Sequence, residues 1–157
     1  IMEAVKNLPR IRFQIAGDGP LRQYVEAQAQ RSENLEYLGW ISRKDVMAVL
    51  DTTDMLVLPS KIESFGTIAL EAMARSRLVL LSSGCGILNW PSLARGIFQI
   101  RPGEALTDAI RRMVGLDDRK RREMVSIAHN STKAFNSETL EQWFDVFRRI
   151  MRQSQYA

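Results

Sequence analysis

Short apolar runs that alternate with helix-forming segments limit most strongly how this sequence can fold. Met55–Leu58 and Leu78–Leu81 each consist of four apolar residues, and this composition predicts fully buried strands. Helical periodicity follows such runs, and Ser42 with Asp45 forms an N-cap pattern before one helical segment. Because strands and helices alternate in short units, we expect an α/β fold with a parallel sheet and helices on both faces.

The other predicted elements complete this alternation. Further strands are predicted at 11–16, 35–38 and 97–100. Helices are predicted at 1–8, 21–31, 43–50, 67–75, 103–114 and 117–135, with a last one that begins at Ser137. Ligands of parallel sheets bind beyond the carboxyl ends of the strands. Four loops rich in small residues fall there, and we expect them to form one site: 17–20, 39–41, 59–66 and 82–86.

Length and composition describe one domain with an ordinary core. The 157 residues are 45% hydrophobic and 25% charged, and no apolar run is long enough to predict a transmembrane helix. The sequence begins inside a helical pattern without a signal peptide, so we expect a fragment of a longer cytoplasmic protein. The one cysteine, Cys85, excludes an internal disulfide. The one histidine, His129, is expected at the surface without a partner, and no usual zinc site can form.

The loop at 59–66 has the features of a phosphate-binding turn. It joins an apolar strand to a helix, and Gly66 lies at the helix start, where unpaired N–H groups and the helix dipole favour an anion. Glu63 precedes this start and Glu71 lies about one turn inside the helix. Their carboxylates are suited to sugar and ribose hydroxyls rather than to phosphate. A glutamate near a helix start also complements the dipole, and this simpler interpretation stays open.

A longer set of residues around this loop resembles a known family signature. Ser60, the segment Glu63-Ser64-Phe65-Gly66-Thr67-Ile68-Ala69-Leu70-Glu71 and Ala72-Met73-Ala74 together resemble the two-glutamate signature of retaining GT-B glycosyltransferases of the group 1 family. Segments 13–20 and 35–41 are similar to the strand-and-turn segments of that family, in the same order. The resemblance implies a Rossmann-like domain, one half of a GT-B fold, that binds the nucleotide-sugar donor and has C-terminal helices packed on its sheet.

The resemblance also implies roles for individual residues. Glu63 matches the catalytic glutamate, which contacts the transferred sugar, and Glu71 matches the glutamate that binds the ribose hydroxyls. The other residues that it implies in the donor site are Gly17, Trp40, Ile41, Ser64, Phe65, Gly66 and Thr67. The alternative for Phe65 and Ile41 is core or loop packing, and for Trp40 it is partly buried packing.

Three residues depart from the family pattern. Arg75 and Ser76 follow the segment 71–74, after which the family usually has a glycine, and Asn89 lies where many members have glutamate. These departures leave open whether the site is active. The family's first strand of this domain and its N-terminal acceptor domain would precede Ile1, so we expect the fragment alone to be inactive.

The implied function is transfer of a sugar, with retention, from a donor such as a UDP- or GDP-sugar to an acceptor hydroxyl. The product would be lipopolysaccharide, capsule or a similar glycoconjugate, and the acceptor glycan or glycolipid would bind the N-terminal domain. No metal or other cofactor is expected. Two alternatives stay open: a sugar-nucleotide epimerase or phosphorylase of similar architecture, and a non-catalytic nucleotide-binding or interaction module on the same fold.

Positive charges late in the chain suggest one further partner. These basic residues could bring the protein to the inner face of an anionic membrane, or they could form solvated helix faces. They are Arg111, Arg112, Arg119, Lys120, Arg121, Arg122, Arg148, Arg149 and Arg152. Nucleic acid is not an expected partner, because the basic residues lack interleaved aromatic residues and a recognisable binding module.

Overall fold

The structure is a computed structural model that describes residues 1–154. Its strands are β1 (Phe13–Ala16), β2 (Leu35–Gly39), β3 (Met55–Leu58), β4 (Leu78–Leu81) and β5 (Phe98–Gln99). Its helices are α1 (Met2–Asn7), α2 (Arg22–Ala29), α3 (Arg43–Thr52), α4 (Thr67–Ala74), α5 (Pro91–Ala94), α6 (Leu106–Val114) and α7 (Asp118–Ser154). The alternation of strands and helices that the sequence predicts is confirmed.

The strands form two parallel sheets. β1 pairs with β2, from Phe13 opposite Leu35 to Ala16 opposite Gly39. β4 is the central strand of the second sheet and pairs with β3 on one side and β5 on the other. The predicted fold class, an α/β Rossmann-like arrangement with helices on both faces, is therefore confirmed.

Strand β3 is less buried than its sequence predicts. All four of its residues are partly exposed, whereas Val79, Leu80 and Leu81 of β4 are buried. In the described part of the chain β3 pairs with β4 alone, and β1 pairs with β2 alone, so each has one edge without a neighbouring strand. The prediction of a fully buried strand at 55–58 is wrong, because a strand that is paired on one edge leaves part of its surface exposed.

Two clusters of apolar side chains cover the two faces of the β3–β4–β5 sheet. Val79 and Leu81 pack with residues of α3, α4, α5 and α7 on one face. Leu80 packs with α1 and α6 on the other, and Phe13 of β1 and Val57 of β3 join that cluster. The alternation of side chains along β4 thus gives each face its own helix layer, and the second cluster spans both sheets.

The C-terminal region differs from the prediction. One continuous helix, α7, replaces the two helices predicted over 117–135 and from Ser137. No glycine or proline lies between residues 118 and 154, and the Ser137 hydroxyl donates to the Lys133 carbonyl of its own helix at 3.5 Å. Nothing therefore stops the helix at Ser137. No helix within residues 1–154 has both the length and the apolar content that crossing a bilayer requires.

Smaller differences lie around β5. A 3-10 turn at Gly86–Asn89 and the short helix α5 were not predicted. The helix predicted from 103 begins at Leu106 instead, because Gly103 adopts a φ of 75° in a turn. That turn is closed by the Glu104 N–H, which donates to the Arg101 carbonyl at 3.0 Å.

Candidate functional site

The loops after β1 and β2 are tied together at the carboxyl ends of these strands. The Gly17 N–H donates to the Gly39 carbonyl at 2.7 Å, and the Tyr37 hydroxyl donates to the Gly17 carbonyl at 2.9 Å. Both glycines adopt positive φ, 129° and 64°, and so let the chain turn directly after each strand. The turn at Gly17 is thus held against the start of the 39–41 loop.

Trp40 and Ile41 follow this turn. Trp40 is 74% exposed, so the alternative of partly buried packing is wrong for its side chain. Ile41 is partly buried, as either of its two predicted roles requires. The exposed indole gives this edge of the sheet a large aromatic surface on which a planar ligand group can pack.

The loop after β3 is held by the loop after β4. The Glu63 N–H donates to the Gly84 carbonyl, and the Gly86 N–H donates to the Glu63 carbonyl, both at 2.9 Å. The Ile87 N–H then donates to the Phe65 carbonyl at 2.8 Å. These bonds extend the parallel pairing of β3 and β4 into the loops, where Glu63 and Cys85 form an isolated bridge. The backbone of Glu63 is therefore fixed on both sides.

Glycine is required at two positions of this contact. A Cβ added at Gly84 would lie 2.0 Å from the Lys61 carbonyl oxygen, and one at Gly86 would lie 1.9 Å from that of Ser64. Both distances are far below any allowed contact, so no other residue fits without moving the backbone. The close approach of the two loops sets the position from which Glu63 projects.

Gly66 connects the loop at 59–66 to the start of α4. It is the N-cap residue and adopts φ 93° and ψ 54°, a left-handed conformation that favours glycine. The Cγ atom of Glu63 lies 3.6 Å from the place that a Cβ at Gly66 would occupy. The Glu63 side chain therefore passes directly over the start of the helix.

A row of unpaired backbone N–H groups surrounds this helix start. The N–H groups of the consecutive residues 64–68 make no hydrogen bond with any residue in the described part of the chain. The next amide, that of Ala69, donates back to the Gly66 carbonyl at 2.8 Å. Consecutive free amides at the positive end of a helix dipole form a site for an anion. Ser64, Phe65, Gly66 and Thr67, predicted as donor-site residues, all belong to this row.

Glu71 lies beside the row and faces the loop after β2. It is partly buried in α4, and its Oε1 lies 3.6 Å from the Nη2 atom of Arg43, the first residue of α3. Arg43 follows the 39–41 loop closely in the chain, so this ion pair connects that loop with α4. A groove of about 540 Å³ between α4 and α7 also includes Glu71, together with Lys133, Phe135 and Asn136.

The backbone and the side chain of Phe65 lie in different surroundings. Its amide belongs to the unpaired row, while its ring packs on Phe135 of α7 with centroids 6.0 Å apart. Trp90 packs edge-on against Phe135, with the two ring centroids 4.8 Å apart. The Phe65 ring can therefore pack in the core while its backbone amide stays available to a ligand. Through Phe135, α7 packs against the loop at 59–66.

The departures Arg75 and Ser76 lie at the far end of α4. Ser76 adopts a φ of 59°, and its N–H donates to the Met73 carbonyl at 3.0 Å, which ends the helix. The Arg75 guanidinium pairs with the Asp51 carboxylate in α3. At a rise of about 1.5 Å per residue, these contacts lie about 12 Å from the anion-binding end. Asn89, the third departure, is exposed in the 3-10 turn.

Several residues that shape the site were not predicted to do so. Arg43, Phe135 and Trp90 act through contacts between distant parts of the chain, which no local pattern shows. The Gly84-Cys85-Gly86 sequence was a usable signal, since paired glycines often allow a close backbone approach.

His129 of α7 contacts the end of α4. His129 was predicted to have no partner, which is wrong, because its Nδ1 lies 2.9 Å from the Ala74 carbonyl oxygen at the far end of α4. Among residues 1–154, no three His, Cys, Asp or Glu side chains come together in a group that could hold a metal ion.

Comparison with known proteins assigns a family. The model of the family described as "Glycosyl transferases group 1" matches residues 1–130 of this chain. A GDP-mannose-dependent alpha-(1-6)-phosphatidylinositol dimannoside mannosyltransferase of Mycobacterium tuberculosis is 31% identical over 112 residues, which are 71% of this chain and 29% of the relative. A glycogen synthase of the same organism is 31% identical over 97 residues, or 55% of this chain and 23% of the relative. The chain spans about a quarter of the length of these relatives.

Solved structures share the fold. WaaG, described as a glycosyltransferase involved in lipopolysaccharide biosynthesis, superposes with a TM-score of 0.68 at 22% identity, over 84% of this chain and 38% of WaaG. Anabaena HepE in complex with UDP-glucose superposes with a TM-score of 0.62 at 18% identity, over 90% of this chain and 44% of HepE.

Proposed function

Because this chain belongs to the group 1 glycosyl transferase family, we propose that it binds a nucleotide sugar at the start of α4. The observation that carries the proposal is the row of free amides at 64–68 beside two carboxylates. In the complete protein, this site would present the sugar to an acceptor hydroxyl for transfer.

The free amides would hold the donor diphosphate. When the bond between the anomeric carbon and the diphosphate oxygen breaks, negative charge develops on that oxygen. Amides that are already oriented stabilise this charge without reorganising, since the loop is fixed by its bonds to Gly84 and Gly86. The contribution of the chain is therefore to position the donor and to stabilise the leaving group.

The two glutamates would bind hydroxyl groups on either side of the diphosphate. Glu71 lies beside the row, on the side of the 39–41 loop, where a carboxylate can accept two hydrogen bonds from a ribose diol. Glu63 passes over the helix start and would contact the transferred sugar. Trp40 and Ile41 would then pack beside the base.

The donor and acceptor are proposed from the relatives. A GDP-mannose-dependent enzyme and a structure bound to UDP-glucose are among them, so we propose a UDP- or GDP-sugar as the donor. Retention at the anomeric carbon and a product such as lipopolysaccharide or capsule are proposed from the family resemblance, and the description of WaaG is in keeping with such a product. A cytoplasmic location and independence of metal stay predictions.

The unpaired sheet edges support one part of this proposal. Within residues 1–154, β1 and β3 each have an edge without a neighbouring strand, yet both contribute to the same apolar cluster under α1 and α6. We propose that one further parallel strand of the complete protein lies between them and joins the two sheets into one. An acceptor-binding domain would complete the enzyme, so the fragment alone is expected to transfer no sugar.

Titration by amide-shift NMR tests the donor site. UDP, GDP and ADP, added separately, are expected to shift the amides of 64–68 in a saturable way, with one nucleotide the tightest. The corresponding nucleosides should leave these amides unchanged, because they carry no phosphate. Absence of any saturable shift at millimolar nucleotide contradicts the proposal.

A pair of variants assigns Glu71 its role. Glu71→Gln keeps the shape but loses the charged acceptor, so the Kd for the tightest nucleotide should rise about tenfold. Glu123→Gln, an exposed change in α7, should leave it within about twofold. Equal nucleotide affinity of the two variants would show that Glu71 does not contribute to nucleotide binding.

A further inference from the structure

One ion pair connects the start of α3 with the second glutamate of the candidate site. The Nη2 atom of Arg43 lies 3.6 Å from the Oε1 atom of Glu71, close enough for attraction between the charges but longer than a hydrogen bond. Within residues 1–154, no other cation pairs with the Glu71 carboxylate. Arg43 therefore supplies the charge that holds this carboxylate in place.

The backbone from which Arg43 projects is fixed. The Ser42 hydroxyl caps α3, since its oxygen accepts from the Asp45 N–H at 3.3 Å and its proton is donated to the Asp45 carboxylate at 2.6 Å. The loop at 39–41, just before this cap, is bonded to the turn after β1. Arg43 therefore reaches Glu71 from a defined position.

The pair contributes little to the stability of the fold. The side chain of Arg43 is 86% exposed and that of Glu71 is 28% exposed, so solvent screens most of the attraction between them. Loss of the pair should leave the fold intact. An effect of that loss on ligand binding would then report the position and charge of Glu71 rather than unfolding.

Glu71 needs a neighbouring cation if a diphosphate binds at the start of α4. The helix begins at Thr67, and Glu71 lies four residues further on, about 6 Å along the helix axis. At this distance a carboxylate repels an anion held by the free amides at 64–68. A guanidinium beside the carboxylate offsets this repulsion. It also holds the carboxylate towards the 39–41 loop, on the side where the ribose would lie.

We propose that Arg43 is a positioning residue that strengthens binding of ribonucleoside diphosphates through Glu71. The pair keeps the carboxylate oriented to accept hydrogen bonds from both ribose hydroxyls and reduces the negative charge beside the diphosphate. A 2′-deoxy sugar lacks one of these hydroxyls and gains less from an oriented carboxylate. The inference rests on the proposed function, because it concerns the same site.

Calorimetric titration tests the role of Arg43, with the tightest of UDP, GDP and ADP and with its 2′-deoxy counterpart as ligands. At about 0.15 M salt, which screens long-range attraction, Arg43→Gln should raise the Kd of the ribonucleotide about fivefold. The rise for the 2′-deoxy nucleotide should be at least about twofold smaller, because only the charge effect remains. Equal rises for the two ligands overturn the positioning role.

Two further variants separate this pair from the general charge of the region. Arg43→Lys keeps the positive charge and should bind the ribonucleotide within about twofold of the wild type. Lys44→Gln removes the neighbouring exposed charge and is the matched control, with a Kd that should also stay within about twofold. Equal Kd values for Arg43→Gln and Lys44→Gln overturn the proposal.

A double-mutant cycle separates positioning from direct contact with the nucleotide. In the Glu71→Gln background, Arg43→Gln should change the Kd by less than about twofold, because no carboxylate is left to position. An undiminished rise in that background would mean that Arg43 contacts the nucleotide itself, and it overturns the proposal.

A measurement without nucleotide distinguishes this inference from the proposed function. Arg43→Gln should shift the NMR signal of the Glu71 Cδ carbon in the free protein, whereas Lys44→Gln should leave it unchanged. Wild-type protein that binds none of the three nucleotides contradicts the proposed function. A Glu71 signal that does not move in Arg43→Gln overturns the role of Arg43 alone, whether or not a nucleotide binds.

Discussion

Ser76 adopts a backbone conformation that is unfavourable for a residue with a side chain. It lies at the end of α4 with a φ of 59°, which costs a residue other than glycine about 1–2 kcal/mol. Ser76→Gly removes this cost but adds freedom to the unfolded chain, worth about 0.5–1 kcal/mol. We expect the free energy of unfolding to rise by about 0.5–1 kcal/mol, measured by denaturant melts.

A second serine provides the matched control for Ser76. Ser126 lies within the regular helix α7, where glycine is the poorer helix former. Ser126→Gly should therefore lower the free energy of unfolding by about 0.5 kcal/mol. The same sign of change in both variants would mean that the backbone of Ser76 is relaxed in solution.

Some candidate residues at the start of α4 could be proposed from the sequence, because the residues that suggest a site lie close together in the chain. Glu63, Gly66 and Glu71 could be proposed because a turn, a helix start and two carboxylates lie within one short stretch. Arg43 could not, because its pairing with Glu71 joins α3 to α4 and is decided by packing alone.

The two facing loops behave as one element. Gly86→Ala would set a Cβ 1.9 Å from the Ser64 carbonyl oxygen, so the loops must separate. We expect a loss of more than about 2 kcal/mol in the free energy of unfolding. The nucleotide-dependent shifts of the 64–68 amides should disappear in the same variant, as NMR can show.

Gly19→Ala is the control for this change. No atom lies within 4 Å of a Cβ at Gly19, and its φ is not in the left-handed region. Stability should stay within about 0.5 kcal/mol of the wild type. If Gly86→Ala were equally harmless, the two loops would not be in contact in solution.

Elements were predictable in kind but not always in extent. Apolar runs with caps identified the strands and most helices, since these signals are local. The two predicted C-terminal helices are one, because Ser137 is tolerated inside a helix. The incomplete burial of β3 depends on which strands lie beside it, and a run of four apolar residues carries no information about that.

Acid sensitivity concerns the whole molecule, because Arg112 of α6 forms an ion pair with Glu104 in the turn before α6 and also contacts β5. The Arg112 guanidinium donates to Glu104 at 2.7 and 2.8 Å and to the Gln99 carbonyl, and it lies 4.1 Å from the centre of the Phe98 ring. The hydrogen bonds from Arg112 and from the Arg101 N–H lower the pKa of Glu104 from 4.5 to about 2.

Glu104 therefore stabilises the fold in a defined pH range. A lowered pKa contributes stability that is present above pH 4.5 and is lost as the pH falls towards 2. Glu104→Gln should lower the melting temperature at pH 7, and its difference from the wild type should shrink steadily between pH 4.5 and 2. Melting curves across this range measure it. A difference that stays constant would show that the pair does not form.

The unpaired amides at 64–68 have a consequence for how the protein can be observed. An amide without a hydrogen bond exchanges its proton with solvent at close to the rate of an unfolded chain. Residue 69 and the rest of α4 are bonded, so the boundary between fast and slow exchange should fall within one turn of helix. Deuterium uptake by this one peptide would then report occupancy of the helix start directly, with no label, no substituted residue and no catalytic turnover.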